Sequence, residues 1–304
     1  MDKLAEMECF LRVVDSGGFS AAAASLHMTP SAVSKQIARL EDRLGARLLQ
    51  RTTRRISLTH EGRGYYDQAR EIVADIEAME AGIGGAEREP RGLLRVNVAH
   101  GFGMAQIVPL IPDFCARYGQ VEVQLKFSDR IVDLMAEGDD VGIRLGNLRD
   151  EGLVARRLGA HTRMICAAPA YLARHGTPLT PADLAEGHRA VLSTNVPLIN
   201  NWPLVQPDGS VRMTMLPGVV SSDSGDALYR LVLAGLGIGY TADFLVHQAI
   251  RQGELVPILR EYLAPQSWAI HAVYPARKHL AAKVRRFVDF LAERFTPQAP
   301  WQLG

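Results

Sequence analysis

The side chains with the most evident chemistry cluster on one short segment: Ser31, Ser34, Lys35, Gln36 and Arg39. Hydroxyl, amide, ammonium and guanidinium groups are the ones that hydrogen-bond to base edges and phosphates. Val33, Ile37, Leu40 and Leu44 recur between them at spacings of 4, 3 and 4. That spacing predicts a helix with one apolar stripe and one polar face. Thr29 suits its N-cap, Pro30 its first position and Gly45 its end. Upstream, Phe19-Ser-Ala-Ala-Ala-Ala-Ser-Leu26 predicts a short, slim helix that a second helix can approach closely. Two helices joined at His27-Met-Thr29, the second polar on its outer face, make a helix-turn-helix. Residues 48–58 then place Arg51, Thr52, Thr53, Arg54 and Arg55 in a β-prone stretch. This predicts a basic hairpin, a wing laid along a phosphate backbone. A core helix pair with a merely solvated basic face is the plainer alternative. The ordered sequence of cap, stripe, polar face and basic hairpin favours DNA binding.

Charge distribution agrees. The whole chain of 304 residues carries a formal charge of only +1. Residues 28–60 hold seven Lys/Arg against Glu41 and Asp42, a local excess of five, so the remainder is negative by about four. A basic patch confined to one module is the footprint of a nucleic-acid partner. The three cysteines, Cys9, Cys115 and Cys166, have no CxxC spacing, which argues against a disulfide framework or a zinc site. They read as small buried residues in a reducing compartment, with a redox sensor as the sharper alternative. Neither a leader-like apolar segment nor a run of 18 apolar residues is present. The expectation is a cytoplasmic protein with no membrane contact.

The elements that must position this module follow in order. Residues 1–14 predict a buttressing helix. Tyr65, Ala69, Ile72, Ile76, Met79 and Ile83 are spaced 4, 3, 4, 3 and 4, a heptad seam flanked by charge. Such a helix predicts dimerisation, and packing on its own chain is the alternative. Glycines at 82, 84 and 85 and Pro90 predict a hinge. The expected domains are residues 1–59, a linker at 60–90, and 91–304.

Beyond the hinge, residues 93–99, 121–127 and 141–145 predict strands. A tight turn at 100–103 is expected before a helix over 104–118, and a short helix over 131–138. Strands are also predicted at 189–193, 211–220 and 267–274, and helices at 226–234 and 279–295. This alternation argues for an α/β fold with a largely parallel sheet. Ligands bind beyond the carboxyl ends of such strands. Candidate binding residues are therefore His100, Gly101, Phe102, Ser128, Asp129, Arg130, Arg144, Thr194, Asn195, Asn201, Ser221 and Ser222. Backbone N–H groups of the 100–103 turn could hold a carboxylate. His100 could equally be a turn histidine, and Arg144 a structural residue satisfying carbonyls. The run Gly235-Leu-Gly-Ile-Gly239 lacks GxGxxG spacing and follows a helix, which argues against a dinucleotide.

Ala22-Ala-Ala-Ser-Leu26, Thr29-Pro-Ser-Ala-Val-Ser34, Leu40-Glu41, Leu44-Gly45, Arg51-Thr-Thr-Arg54, Leu58-Thr59 and Glu61-Gly62 together resemble the LysR-type transcriptional regulators. The likeness covers nearly all of the N-terminal domain and continues more weakly to the C-terminus. It implies a winged helix-turn-helix, a linker helix, and a C-terminal α/β domain of two lobes resembling periplasmic binding proteins. Lobe I is expected at 91–161 and 267–304, and lobe II at 162–266. The implied partners are double-stranded promoter DNA, a small-molecule effector between the lobes, and further copies in a homodimer or homotetramer. A carboxylate is one candidate effector. Family members often have serine or threonine near His100, so this chain departs there. An effector that alters the angle between dimers would alter the DNA bend, at a cost on the order of 1–6 kcal/mol. No GxSxG, HExxH or P-loop occurs, so an enzyme, a cofactor and a metal are not expected. The alternatives are a DNA binder without effector and an enzyme with an attached DNA module.

Overall fold

The computed structural model describes residues 2–51, 56–83, 89–129, 133–148, 152–276 and 280–302. It divides into two compact units, Met1–Arg88 with Arg277–Ala282, and Glu89–Ala276 with Lys283–Gly304.

Helix α1 (Lys3–Asp15) starts where the Asp2 carboxylate accepts the N–H groups of Leu4 and Ala5, each at 3.1 Å. Helix α2 (Phe19–Ser25) buries Ala22 and Ala23, the two alanines that let α1 and α3 come close. Helix α3 (Pro30–Leu44) is capped by Thr29, whose hydroxyl accepts from the Ala32 N–H at 3.3 Å. Gly45, at φ 65°, ends it in the left-handed conformation that glycine takes without strain. Strands β1 (Leu49–Arg51) and β2 (Ile56–Leu58) form the antiparallel wing, and helix α4 (His60–Ile83) follows.

One core unites these elements. Cys9, Phe10, Val13, Val33, Ile37, Leu40 and Leu48 are fully or almost fully buried, and Tyr65, Ala69 and Val73 of α4 pack onto them. The heptad seam therefore divides. Tyr65 and Ala69 serve their own chain, whereas Ile72 remains 44% exposed. Two carboxylates lock the array, one tying α3 to the wing and the other tying α1 to α3. Buried Glu41 accepts the N–H groups of Leu48 and Leu49 at 2.8 and 3.0 Å. Glu6 of α1 takes both Nε and Nη2 of Arg43, at 3.1 and 3.0 Å. Arg43 is thus an internal tie, so part of the local basic excess is spent within the fold.

In the second unit, β3 (Gly92–Val98) leads into an uneven helical run. It comprises α5 (His100–Phe102), a π turn at Gly103–Ile107, a 3₁₀ turn at Val108–Leu110 and α6 (Ile111–Arg117). The tight turn expected at 100–103 is instead the first turn of this run. Pro109 and Pro112 explain the uneven winding, since each lacks an N–H and crowds the preceding turn. Strands β4 (Val121–Phe127) and β5 (Val141–Leu145) follow. The helix expected over 131–138 is a turn at 134–138, nucleated by the Asp133 carboxylate on Met135 and Ala136 N–H groups and ended by Gly138 at φ 66°. Residues 130–132 lie outside the described residues.

Strand β6 (Leu153–His161) runs through Thr162 into β7 (Arg163–Ala167), carrying the chain from lobe I to lobe II. Then come α7 (Pro169–His175), α8 (Pro181–Ala185), β8 (Ala190–Ser193), β9 (Trp202–Val205), β10 (Val211–Thr214) and β11 (Gly218–Ser222). The single strand expected over 211–220 is split at Leu216-Pro217, since proline cannot donate to a ladder. Helix α9 (Gly225–Leu233), β12 (Gly239–Ala242), α10 (Asp243–Arg251) and β13 (Val256–Pro257) complete the lobe. Strand β14 (Trp268–Pro275) returns to lobe I, and α11 (Ala282–Phe295) packs there.

Lobe I is a five-stranded sheet of order β4-β3-β5-β14-β6. Strand β3 is parallel to β4 and β5, while β14 is antiparallel to β5 and β6. In lobe II, β12 and β13 both run antiparallel to β7, β9 and β10 pair antiparallel, and β8 and β11 pair parallel. The largely parallel sheet expected is thus corrected to mixed sheets. The reason is the crossover: β6 feeds β7 directly, and β14 re-enters lobe I without a helical crossover to reverse its sense. The glycine run has a packing cause. A Cβ on Gly237 would stand 2.8 Å from the Arg189 carbonyl oxygen, and one on Gly239 would stand 2.5 Å from Val232 Cγ2.

Gly62 carries the tightest approach among the described glycines of the first unit. Its N–H donates to Thr59 Oγ1 at 2.8 Å, and a Cβ there would stand 1.9 Å from the Leu48 carbonyl oxygen. Gly62→Ala should therefore destabilise the N-terminal unit by about 2 kcal/mol or more, because backbone must move. Scanning calorimetry of the full chain reads this as a lowered first transition, whereas an unchanged one would show that the wing–α4 junction yields freely.

Candidate functional site

On the first unit, Ser31, Lys35 and Arg39 are exposed along α3, and Ser34 is half-buried beside them. Gln36 is also half-buried, and its Oε1 has no hydrogen-bond partner among the described residues. Thr29 and Ser31 share a hydroxyl–hydroxyl bond of 3.1 Å at the helix start, next to Pro30. Arg51 lies at the end of β1. Its side chain, and residues Thr52, Thr53, Arg54 and Arg55, lie outside the described residues. The α3 face therefore presents two cations and two hydroxyls on a rigid helix pinned by an apolar stripe, an arrangement that can hydrogen-bond groove edges.

In the second unit a cavity of about 410 Å³ opens between the lobes. That volume suits a small organic molecule. Of the residues predicted from sequence, Gly101, Phe102, Ser128, Asp129, Arg144 and Asn195 line it. His100, Thr194, Asn201, Ser221 and Ser222 do not, and Arg130 lies outside the described residues. His100 packs its ring edge-on against Phe127 at 5.4 Å. Its N–H donates to Asp129 Oδ1 at 2.8 Å, so the chain's own carboxylate occupies the place where an incoming carboxylate was expected. Asn200 lines the cavity in place of Asn201, held by its amide to Ser193 N and O, both at 2.8 Å. The 3₁₀ turn Pro197–Asn200 sets that one-residue difference. Asn195 Nδ2 also donates to the Asp129 carbonyl at 3.4 Å, a bond between the two lobes.

Sequence reasoning missed the crossover side of the cavity: His161, Arg163, Tyr240 and Trp268. His161 stacks on Trp268, with ring centroids 5.5 Å apart and planes at 23°. The guanidinium of Arg163 lies 5.9 Å from the Tyr240 ring and 5.8 Å from the Trp268 ring. The available signal was an arginine heading the otherwise apolar strand Met164-Ile-Cys-Ala167. Burial pulls the pKa of Arg163 below its ordinary value, opposed by Tyr240 and Asp243. The group stays charged at any working pH. Burial, and then the Arg163 charge, pushes His161 down to about 4, against its hydrogen bond to the Thr162 carbonyl. At neutral pH His161 is therefore uncharged. All three cysteines are free. Burial pushes Cys9 up to about 11 and Cys166 up to about 12, so neither forms the thiolate that redox sensing needs.

A pH dependence follows. Unfolded His161 takes a proton near 6.5, the folded side chain only near 4, so its contribution is present above 6.5 and is lost as pH falls toward 4. Burial lowers His188, His247 and His271 as well. The unfolding midpoint should drop steadily between pH 7 and pH 4, with His161 accounting for up to about 3 kcal/mol. His161→Gln should flatten that curve in a pH series of thermal melts. An unaltered curve would assign the titration elsewhere.

Comparison with known proteins bears on both sites. Residues 4–63 match the family described as bacterial regulatory helix-turn-helix protein, lysR family, and residues 87–296 match the LysR substrate binding domain. The chain is 38% identical over 288 residues to the HTH-type transcriptional regulator CrgA of Neisseria meningitidis, covering 95% of each chain. It is 34% identical over 299 residues to the HTH-type transcriptional regulator DmlR of Escherichia coli, covering 98% of this chain and 96% of that one. The solved structure of CrgA from Neisseria meningitidis superposes with a TM-score of 0.63 at 36% identity, over 95% of this chain and 97% of the other. With a helix-turn-helix over its first residues and a two-lobed cavity domain following in sequence, the chain belongs to the LysR-type family of transcriptional regulators.

Proposed function

We propose that this regulator reads promoter DNA through α3 and its wing, and is switched by a small anionic molecule bound between the lobes. The observation that carries the reading is the cavity of about 410 Å³, lined by polar groups of both lobes, in a chain that begins with a helix-turn-helix. In this reading Ser31, Ser34, Lys35, Gln36 and Arg39 enter the major groove. Thr29 and Pro30 set the helix start against the backbone, and Arg51, Thr52, Thr53, Arg54 and Arg55 hold phosphates on either side. The effector meets Gly101, Phe102, Ser128, Asp129, Arg144 and Asn195. His100 and Ser222 act from behind, His100 through its bond to Asp129 and Ser222 through the bonds it makes to Thr194 and Ser224. Closure on a ligand shifts the population of lobe arrangements by the difference in its affinity for the two states.

The working assembly is a homodimer paired through the outer part of α4, and a homotetramer on DNA. Support comes from Ile72, exposed on a helix whose inner apolar residues are already used. Ile72→Asp should convert dimer to monomer in light scattering, whereas an unchanged mass would move the interface away from α4.

Specific DNA is to be selected from a random duplex library, since the operator need not be known. Arg39→Ala should cost about 1–3 kcal/mol on selected sites and relax the consensus. Arg54→Ala should weaken all duplexes alike and reduce the salt slope by about one. Small and equal losses in both variants would reject this division between reading and holding.

A further inference from the structure

Among the described residues the cavity wall carries two guanidinium groups, which differ in their partners. Arg144, on β5, donates to buried Asn97 Oδ1 at 2.6 Å. Arg163, at the head of β7, has five donors. It makes one long bond, from Nη1 to the Tyr240 carbonyl at 3.4 Å. Among the described residues no carboxylate oxygen lies within 4 Å of its nitrogens. Asp243, the acid that acts on it electrostatically, is already engaged by the Thr162 N–H and hydroxyl at 2.9 and 2.8 Å and by the Phe244 N–H at 2.7 Å. Arg163 is half-buried, so its guanidinium is only partly solvated and has no close counter-ion, and an anion that reaches it adds a charge-assisted pair. The other acids of the wall, Asp129 and Asp223, are exposed to solvent. Much of the remaining surface is apolar, with Leu148, Val196, Leu228 and Trp268 among its residues.

We propose that Arg163 is the anion anchor of the cavity, and that the ligand is a small monocarboxylic acid with a flat apolar body, aromatic or conjugated. Its carboxylate takes the free donors of Arg163. Its body lies against the aromatic and aliphatic wall, where no second unengaged cation stands among the described residues for another carboxylate. This assignment rests on the reading of the cavity as the effector site.

The test uses the full chain with benzoate and cinnamate as probes. Benzamide and cinnamamide serve as neutral matches, and acetate as a carboxylate without a body. Binding is read by thermal shift and by tryptophan emission, since Trp202 and Trp268 both line the cavity. The acids should bind about 10- to 100-fold tighter than their amides, the range for a hydrogen bond to a charged group. Acetate should give no shift. Arg163→Met should bring the acids to the level of the amides, and Arg163→Lys should fall between, with an unchanged ligand-free thermal transition of the second unit confirming that each variant is folded. Leu228→Trp, which fills the apolar wall, should abolish binding of both. Amides that bind as well as acids, or no acid binding at millimolar concentration, would overturn the ligand class without any variant. Acid binding that survives Arg163→Met but not Leu228→Trp would overturn the anchor and leave the cavity reading standing. Acid binding that survives both would place the ligand outside the cavity and overturn that reading itself.

Discussion

Where the chain passes from lobe I to lobe II it is gripped by one buried carboxylate. Asp243 accepts the Thr162 N–H and hydroxyl and the Phe244 N–H, and its own N–H returns to the Thr162 carbonyl at 3.0 Å. Burial raises its pKa, and the Thr162 bonds pull the other way. Without those donors a carboxylate at this depth would be expensive to keep charged. The consequence reaches the whole cavity. Side chains alternate along an extended strand. With Thr162 turned toward Asp243, its neighbours His161 and Arg163 are directed together to the opposite side, where both meet Trp268. The bond that anchors the crossover thus also arranges the polar end of the cavity.

The N-terminal unit rests on different physics. Its helices are specified by short-range rules: a cap at Asp2, a cap at Thr29, a left-handed glycine at 45 and an apolar stripe of regular period. Glu6 and Glu41 then convert local helices into a fixed array, one by gripping Arg43 and the other by holding the first residues of the wing. Both are carboxylates that receive two donors each, which offsets their burial. The groups left facing outward on α3 are small or cationic and spend little on internal bonding.

That contrast explains what could be read from the sequence. α1 to α3, the wing, and β3, β4, β5, β8 and β14 of the second unit were legible because period, caps and breakers act within a few residues, whereas β6, β7, β9, β12 and β13 were not. The α/β class was legible from the order of elements, and the two lobes followed from the family resemblance. What failed depended on contacts between distant segments. Arg163 becomes a cavity residue only when β7 pairs with β12 and β14 returns beside it. The anion cradle expected at residues 100–103 is filled by Asp129, 29 positions away in sequence from His100. The apolar seam of α4 was visible, but periodicity could not tell that Tyr65 and Ala69 face Phe10 and its neighbours. The uneven helix of 100–117 was signalled by Pro109 and Pro112, whose effect on winding is graded rather than a clean stop.

Because the first core extends into α4 as far as Val73, recombination between family members has a natural seam that does not coincide with the end of the wing. A hybrid joined just after Thr59 would separate Phe10 from Tyr65, which meet edge to face at 5.4 Å, and Asp15 from the Tyr66 hydroxyl, 2.5 Å apart. A hybrid joined beyond Val73 would transplant the DNA-reading head with its own keel. Exchange of operator preference between relatives is thus constrained to carry the first half of the connecting helix along with the reading helix.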